Sequence, residues 1–336
     1  MLKVVKRCSV SVEGSEWFPA DNINVLCQRN GDKIICKACL PDGDKRGVRY
    51  DNIYAYENKL FLIPYSTRDI IVYDINHNKY RSIENSMTQK WREKGFKYSV
   101  SVKWEQSIYL FGRRMPYIVK MNMQDETIEM LEQAAMYLQK KQWVSPFYFA
   151  CDYVKSENIV WIPIVGFGIV QLNFMDNNVY MHEIPRANSI CKAEDGMFWI
   201  SGKEKIVKWS PESGIVDSFD SGDVNTLDGE VTIEYYNGIL RYKSAIECIC
   251  IDVQSGQRWK ESVPELTEDT HWVECSDEML SVFNDMEKQI FQESDFQTFE
   301  QSCSTYFEYL RLKDGEEKKY VKENIGIQIY SSMKGC

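Results

Sequence analysis

Asp51, Asp152, Glu234 and Glu274 fall at or beside the starts of short strand-like segments that return along the chain. Two acids across one pocket can drive glycoside hydrolysis, one giving a proton and the other assisting attack, and the same acids can accept hydrogen bonds from sugar hydroxyls. The chain holds 50 acidic residues, so chance alone also brings some carboxylates together. Aromatic rings cluster at the same segments: Tyr50 and Tyr54, Tyr98, Phe147, Tyr148 and Tyr153, Tyr235 and Tyr236, and Trp272. Rings at the mouth of a channel stack on sugar faces or grip peptide side chains. Taken singly, each ring is better read as filling a blade-to-blade core; as a set, several are expected to reach the rim. Of the three histidines, His77 sits in a turn, His182 near the end of a repeat, and His271 beside Trp272 and Glu274. His271 is the one placed for chemistry, yet no Ser-His-Asp or Cys-His relay accompanies it. The candidate ligand-binding set is therefore Tyr50, Asp51, Tyr98, Tyr148, Asp152, Glu234, His271 and Trp272, with no catalytic residue assigned.

Eleven cysteines invite a metal reading, and two half-sites stand out, Cys36-x-x-Cys39 and Cys248-x-Cys250. A zinc knuckle needs its paired cysteines on a tight turn. Residues 36 and 39 lie instead in a strand-like run, where they point to opposite faces. Cys248 and Cys250 share a face, read as the buried one. No metal or other cofactor is expected.

The elements that must position these residues repeat. A short apolar strand is followed by a second one in Asn58–Pro64 with Asp69–Asp74, Ser107–Phe111 with Tyr117–Asn122, and Asn158–Pro163 with Gly168–Asn173. The doublet returns in Gly196–Ser201 with Lys205–Ser210, Gly238–Tyr242 with Glu247–Asp252, and Glu278–Phe283 with Gln289–Gln292. The copies recur at roughly 40 to 50 residues, the period of a blade array. In the clearest unit four strands are legible: Ile53–Glu57, Leu60–Pro64, Ile70–Asp74 and Lys79–Ile83. A four-stranded meander cannot bury both faces alone, so stacked copies imply a β-propeller.

Six units span about 50–84, 97–132, 147–184, 187–219, 230–262 and 270–294. The strand-like stretches Asn24–Gln28 and Lys33–Cys39 supply either a seventh blade or a strand that completes the last one. Seven blades are expected, six being the alternative. Two longer connectors, Asn85–Phe96 and Gln133–Ser145, carry helix-compatible residues and are placed on one rim. Residues 295–336 change character, with Phe296, Phe299, Cys303, Phe307 and Leu310 at helical spacing. The expected organisation is a propeller over 1–294 and a small helical appendage over 295–336.

A net charge of −10 disfavours nucleic acid, and the basic-aromatic stretches Lys90–Lys97 and Gln139–Trp143 read as solvated connectors. No apolar run is long enough for a membrane helix, and the first residues lack the apolar core of a secretory signal. With cysteines odd in number and scattered, these features lead to the expectation of a cytoplasmic protein.

At Ile71–Tyr80 (IVYDINHNKY) and Ile206–Gly214 (IVKWSPESG) the units resemble kelch-like propeller repeats, which also set an aromatic-polar pair before a turn and an outer strand. The kelch double glycine is replaced by Asn58, Gln106, Glu157, Asp195, Asn237 or Asp277 before the second strands, and the Gly-His and Trp-Asp signatures of WD40 blades are missing. The resemblance implies propeller geometry and assigns no functional residue. The expected fold is all-β, a propeller of four-stranded antiparallel blades. The expected function is a non-catalytic cytoplasmic recognition scaffold that binds a protein or an extended ligand on one propeller rim; the alternative is a carbohydrate-active enzyme or sugar-binding module using channel carboxylates and rim aromatics.

Overall fold

The computed structural model describes residues 2–20, 25–40, 50–65, 67, 69–83, 98–139, 148–184, 187–202, 204–221, 231–244, 247–262 and 269–273. The connector 85–96, the strands expected within 274–294 and the appendage 295–336 lie outside that set. The chain divides into two compact units, one containing Val12–Leu40 and the other Pro41–Glu268.

The first unit holds β1 (Leu2–Lys6), β3 (Ser15–Ala20), β4 (Val25–Asn30) and β5 (Lys33–Cys39), with the short β2 (Val10–Val12) between β1 and β3 in sequence. β4 and β5 form the hairpin expected from the turn residues between them, with Asn30 opposite Lys33.

The second unit is five antiparallel meanders. They are β6 (Tyr50–Tyr56), β7 (Lys59–Pro64), β8 (Ile70–Asp74) and β9 (Lys79–Ile83); then β10 (Tyr98–Trp104), β11 (Ser107–Gly112), β12 (Ile118–Asn122) and β13 (Ile128–Leu131). After the helix α1 (Glu132–Gln139) come β14 (Val154–Ser156), β15 (Ile159–Ile164), β16 (Gly168–Asn173) and β17 (Val179–Glu183). The last two sheets are β18 (Ser189–Lys192), β19 (Phe198–Ser201), β20 (Lys205–Ser210) and β21 (Gly214–Asp220), and β22 (Thr232–Tyr236), β23 (Ile239–Lys243), β24 (Cys248–Asp252) and β25 (Arg258–Glu261). α1 occupies the first part of the connector expected over 133–145.

The apolar doublets are explained by burial on two sides. Alternate residues of a strand point to opposite faces. In β11, Ile108 and Leu110 pack with Phe61 and Ile63 of β7, while Tyr109 and Phe111 pack with Val160 and Ile162 of β15. In β15 the remaining ring, Trp161, packs with Phe198 and Ile200 of β19, whose Trp199 turns to Leu240 and Tyr242 of β23. Each second strand is thus a wall shared by two cores, which forces a continuous apolar run instead of a simple alternation. The fourth strands end each sheet and are the most exposed, as in Lys79–Ile83 and Gly214–Asp220.

Turns repeat as closely as strands do. Glu57, Glu105, Glu157 and Asn237 open the hairpins between first and second strands, all with φ near +50°: 51°, 50°, 51° and 48°. The turn is tied back from the far end of the third strand: Ile75, Met123, Phe174 and Val253 donate their backbone N–H to the carbonyls of Asn58, Gln106, Asn158 and Gly238 at 2.8–2.9 Å. Asp74, Asn122, Asn173 and Asp252 at the same strand ends accept from the N–H two residues on, an Asx turn that starts the descent into the fourth strand.

β26 (Asp269–Val273) joins the first unit. It pairs antiparallel with β1, Leu2 opposite Val273 and Lys6 opposite Asp269, and the sheet runs β26-β1-β3-β4-β5. The amino-terminal strands and the start of the last expected repeat therefore share one sheet. The described residues form six sheets, one of six strands and five of four, an all-β arrangement consistent with a β-propeller.

Candidate functional site

The first strands of the second unit carry a chain of polar contacts from sheet to sheet. At the start of β6 the pairing with β7 slips between Tyr50 and Asn52, so Asp51 is the extra residue of a β-bulge. Such a bulge re-aims its side chain, and Asp51 Oδ2 accepts from Ser101 Oγ of β10 at 2.7 Å. Tyr54 donates its hydroxyl to the Ser101 carbonyl at 2.8 Å. β10 has a bulge at the same place, between Tyr98 and Val100, and its extra residue Ser99 donates to the Phe149 carbonyl in the approach to β14. Ahead of β14, Asp152 accepts from Ser189 Oγ of β18. Ser189 Oγ in turn accepts from the backbone N–H of Ile233 in β22 at 2.9 Å. One polar row thus stitches β6, β10, β14, β18 and β22 in order.

A pocket of about 330 Å³ opens on this row, lined by Cys151, Asp152, Tyr153, Ile190, Thr232, Ile233 and Glu234. Asp152 and Glu234, far apart in sequence, share it. Lys243 of β23 pairs with Glu234 at 2.6 Å. Burial, followed by the charges of Asp152 and Glu234, pushes the Cys191 thiol up to about 12. That thiol stays protonated at neutral pH and offers no nucleophile. Cys151 accepts from the Arg113 guanidinium at 2.8 Å. The ring of Tyr153 is exposed beside Asp152 and feels the charge of Asp51, so the pocket and the Asp51–Ser101 contact belong to one stretch of surface.

Desolvation dominates at Asp51 and raises its carboxyl from 3.8 to about 6, against the lowering effect of the Ser101 hydrogen bonds. Between about pH 4 and 6 the folded chain keeps a proton that the unfolded chain releases. Stability therefore falls as pH rises through that window, by up to about 3 kcal/mol, and is flat above it. Asp51→Asn, which still accepts from Ser101, is expected to remove this slope and to raise stability at pH 7. Urea unfolding of both proteins at pH 4.5 and 7 is the check; parallel pH dependences would refute the assignment.

Other sequence candidates are placed differently. Tyr50 and Tyr98 are 2% and 4% exposed, and Tyr98 packs with Phe61 and Leu110, so these rings serve the core instead of a channel mouth. A bulge beside each sets the neighbouring polar residue, Asp51 or Ser99, toward the next sheet and leaves the ring in the core. Tyr148 is half-buried and packs against the cluster around Phe111 and Phe149. His271 and Trp272 lie in β26 opposite Val4 and Lys3, in the other unit from Asp152 and Glu234. Glu274 and Phe147 lie outside the described residues. His182 is packed against Trp161 and Trp209, with Nε2 2.9 Å from Gln171, and His77 pairs with Asp74 in its turn. Ser101, Ser189 and Tyr153 complete the row, and the two serines carry no sequence signal because a hydroxyl in a strand is read as filler.

Cys248 and Cys250 lie in β24 on one face, buried as expected, and Cys36 is opposite Cys27 in the β4–β5 hairpin. Burial raises the Cys250 thiol to about 12, with the Glu261 carboxylate and Cys248 beside it adding to the effect.

No protein-family model matches the sequence, and no curated protein matches it. Among solved structures the chain is similar to the extracellular domain of a protein assigned as a hybrid two component system from B. thetaiotaomicron, at 10% identity and a TM-score of 0.47, over 79% of this chain and 35% of that one. It is similar to apo AztD from Citrobacter koseri at 12% identity and a TM-score of 0.47, over 78% and 73% of the two chains. A computationally designed protein, Ika8, matches at 8% identity and a TM-score of 0.44, over 76% and 73%. The chain spans about a third of the sensor domain's length. At these identities the similarities assign no ligand, and the propeller reading rests on the sheets themselves. The expectation of a cytoplasmic protein is corrected here, since the sensor domains it resembles are extracellular. Its physical basis was weak: buried cysteines such as Cys27, Cys36, Cys248 and Cys250 are small apolar fillers and report packing instead of redox compartment.

Proposed function

We propose that this chain is a ligand-binding β-propeller that holds a small polyhydroxylated molecule, of the saccharide class, in the pocket between the starts of β14, β18 and β22. The observation that carries this reading is the convergence of Asp152 and Glu234 with the exposed ring of Tyr153 and the Thr232 hydroxyl in one pocket. Carboxylates accept from sugar hydroxyls in pairs, and a ring stacks on the apolar face of a pyranose. A volume of about 330 Å³ suits a mono- or disaccharide. Lys243 offsets the charge of Glu234, which favours a neutral ligand over a cation.

A protein partner gripping a rim has less support. Among the described residues the exposed large apolar side chains are spread out: Tyr80, Tyr180 and Ile215 on the fourth strands of three sheets, Met136 on α1. The blades carry neither the kelch nor the WD40 signature, and this reading places them in neither group.

The test is calorimetric titration of the full chain with a panel of neutral mono- and disaccharides, and with a polyamine as the cationic comparison. At least one sugar is expected to bind, and Asp152→Asn and Glu234→Gln are each expected to weaken it tenfold or more, the worth of a hydrogen bond to a charged group. Binding of the polyamine alone, or sugar binding untouched by both substitutions, would sink the proposal.

A further inference from the structure

We propose that Cys248, Cys250 and Glu261 form a binding site for a single zinc-class divalent cation, separate from the pocket at Asp152. Among the described residues they are the one group of three metal-ligating side chains brought together, with both Sγ atoms and a carboxylate oxygen all within 4.8 Å of one another. The register explains why. Cys248 and Cys250 are two residues apart in β24 and so share a face, and Glu261 of β25 is the cross-strand partner of Cys248. Leu240, Tyr242, Ile249 and Ile251 of the same sheet point the other way, into the core shared with Trp199.

Two features separate this arrangement from a pair of cysteines filling space. First, a carboxylate stands against thiols that are 2% and 0% exposed, which an apolar filling role does not use. Second, the carboxylate is held from behind. Trp259 Nε1 donates to Oε1 at 3.1 Å and Arg241 Nε to Oε2 at 3.3 Å. Outer partners of this kind orient a ligating side chain and are a regular part of zinc sites. The carboxylate also accepts from the Cys250 thiol, a contact that a cation would replace as the thiol gives up its proton. Arg241 is itself the register partner of Cys250 in β23, so its positive charge lies beside all three donors. Two thiolates and a carboxylate around a divalent cation leave one excess negative charge, which Arg241 neutralises. Two soft sulfurs with one oxygen suit zinc over magnesium or calcium. Zinc–sulfur bonds of ~2.3 Å place two thiolates just under 4 Å apart, so closing the present spacing takes shifts of about 1 Å and leaves a fourth position for water. Glu261, 39% exposed, is the side from which an ion would enter.

The test uses the reduced, metal-free full chain with Co2+ as a spectroscopic probe. One equivalent is expected to give thiolate-to-cobalt charge-transfer absorption, which Zn2+ then displaces. Cys248→Ser with Cys250→Ser should abolish the band, and Cys191→Ser should leave it intact. Glu261→Gln alters a partly exposed side chain outside the core, so it covers the case in which the double serine variant does not fold; it should weaken the affinity tenfold or more. Absence of the band in the wild type, its survival in a folded double serine variant, or an unchanged affinity in Glu261→Gln would each overturn the proposal.

Discussion

Gly168→Ala is expected to destabilise the chain by about 3 kcal/mol, near the top of the range for forcing extra atoms into a packed site. A Cβ at position 168 would sit 2.2 Å from the backbone carbonyl oxygen of His182 and 3.3 Å from the Cα of Glu183. A side chain in its path could swing away; a backbone paired in a ladder cannot move without breaking that pairing. Gly168 starts β16 with partners on both sides, Ile164 of β15 and Glu183 of β17. It leaves a turn already fixed by Phe167 N–H on the Ile164 carbonyl and Gly166 N–H on the Ala187 carbonyl. The relief available is to open β16 from β17, which would expose the shared core at Ile169 and Val170. Gly256 is the comparison: it has a φ of 71° and nothing within 4 Å of a Cβ, so Gly256→Ala should cost only the backbone strain, about 1 kcal/mol. Urea unfolding followed by tryptophan fluorescence separates the two. Equal midpoints for both variants would show that the β16–β17 edge yields freely and that this reading of the sheet is wrong.

The same position shows what the sequence conveys and what it withholds. Gly168 is legible as the start of a strand, because the run GIVQLN follows a turn and the apolar period is plain. Strand bounds of this kind are local, and Ile70–Asp74, Lys79–Ile83, Gly168–Asn173 and Lys205–Ser210 form where the repeat places them. Long-range pairing is not local. Leu2–Lys6 carries no hairpin signal because its partner is Asp269–Val273, at the other end of the described chain. The polar row was half legible. Asp51, Asp152 and Glu234 stand out as acids at strand starts, but which residue of a start reaches the next sheet depends on bulges at Asp51 and Ser99. A bulge inverts the inside-outside alternation beyond it, so Tyr50 and Tyr98, expected at a channel mouth, are core residues. Glu261 was silent for a related reason: it joins Cys248 and Cys250 only through the register of a neighbouring strand.

Ser189→Ala should be nearly as damaging as Gly168→Ala, by a different route. Ser189 is fully buried, and its single hydroxyl serves two neighbours at once, donating to the Asp152 carboxylate and accepting from the Ile233 N–H. Alanine fits the space and removes no apolar packing. What it leaves is a backbone N–H on Ile233, 3% exposed, without its acceptor, and a carboxylate stripped of a donor. The buried N–H left without its acceptor costs about 1–3 kcal/mol and the weakened contact at Asp152 adds to it, so a loss near 3 kcal/mol is expected. The damage should spread to the pocket, because Asp152 and Ile233 both line it and Ser189 sets their separation. A double-mutant cycle with Asp152→Ala isolates the contact. If the hydroxyl acts through Asp152, the two substitutions together should cost clearly less than their sum, with a coupling above 1 kcal/mol. Strict additivity would mean that Ser189 serves Ile233 alone, and Asp152 would then be free to turn into the pocket without it. In that case Ser189→Ala would destabilise the fold while leaving sugar affinity intact; with coupling, affinity and stability should fall together.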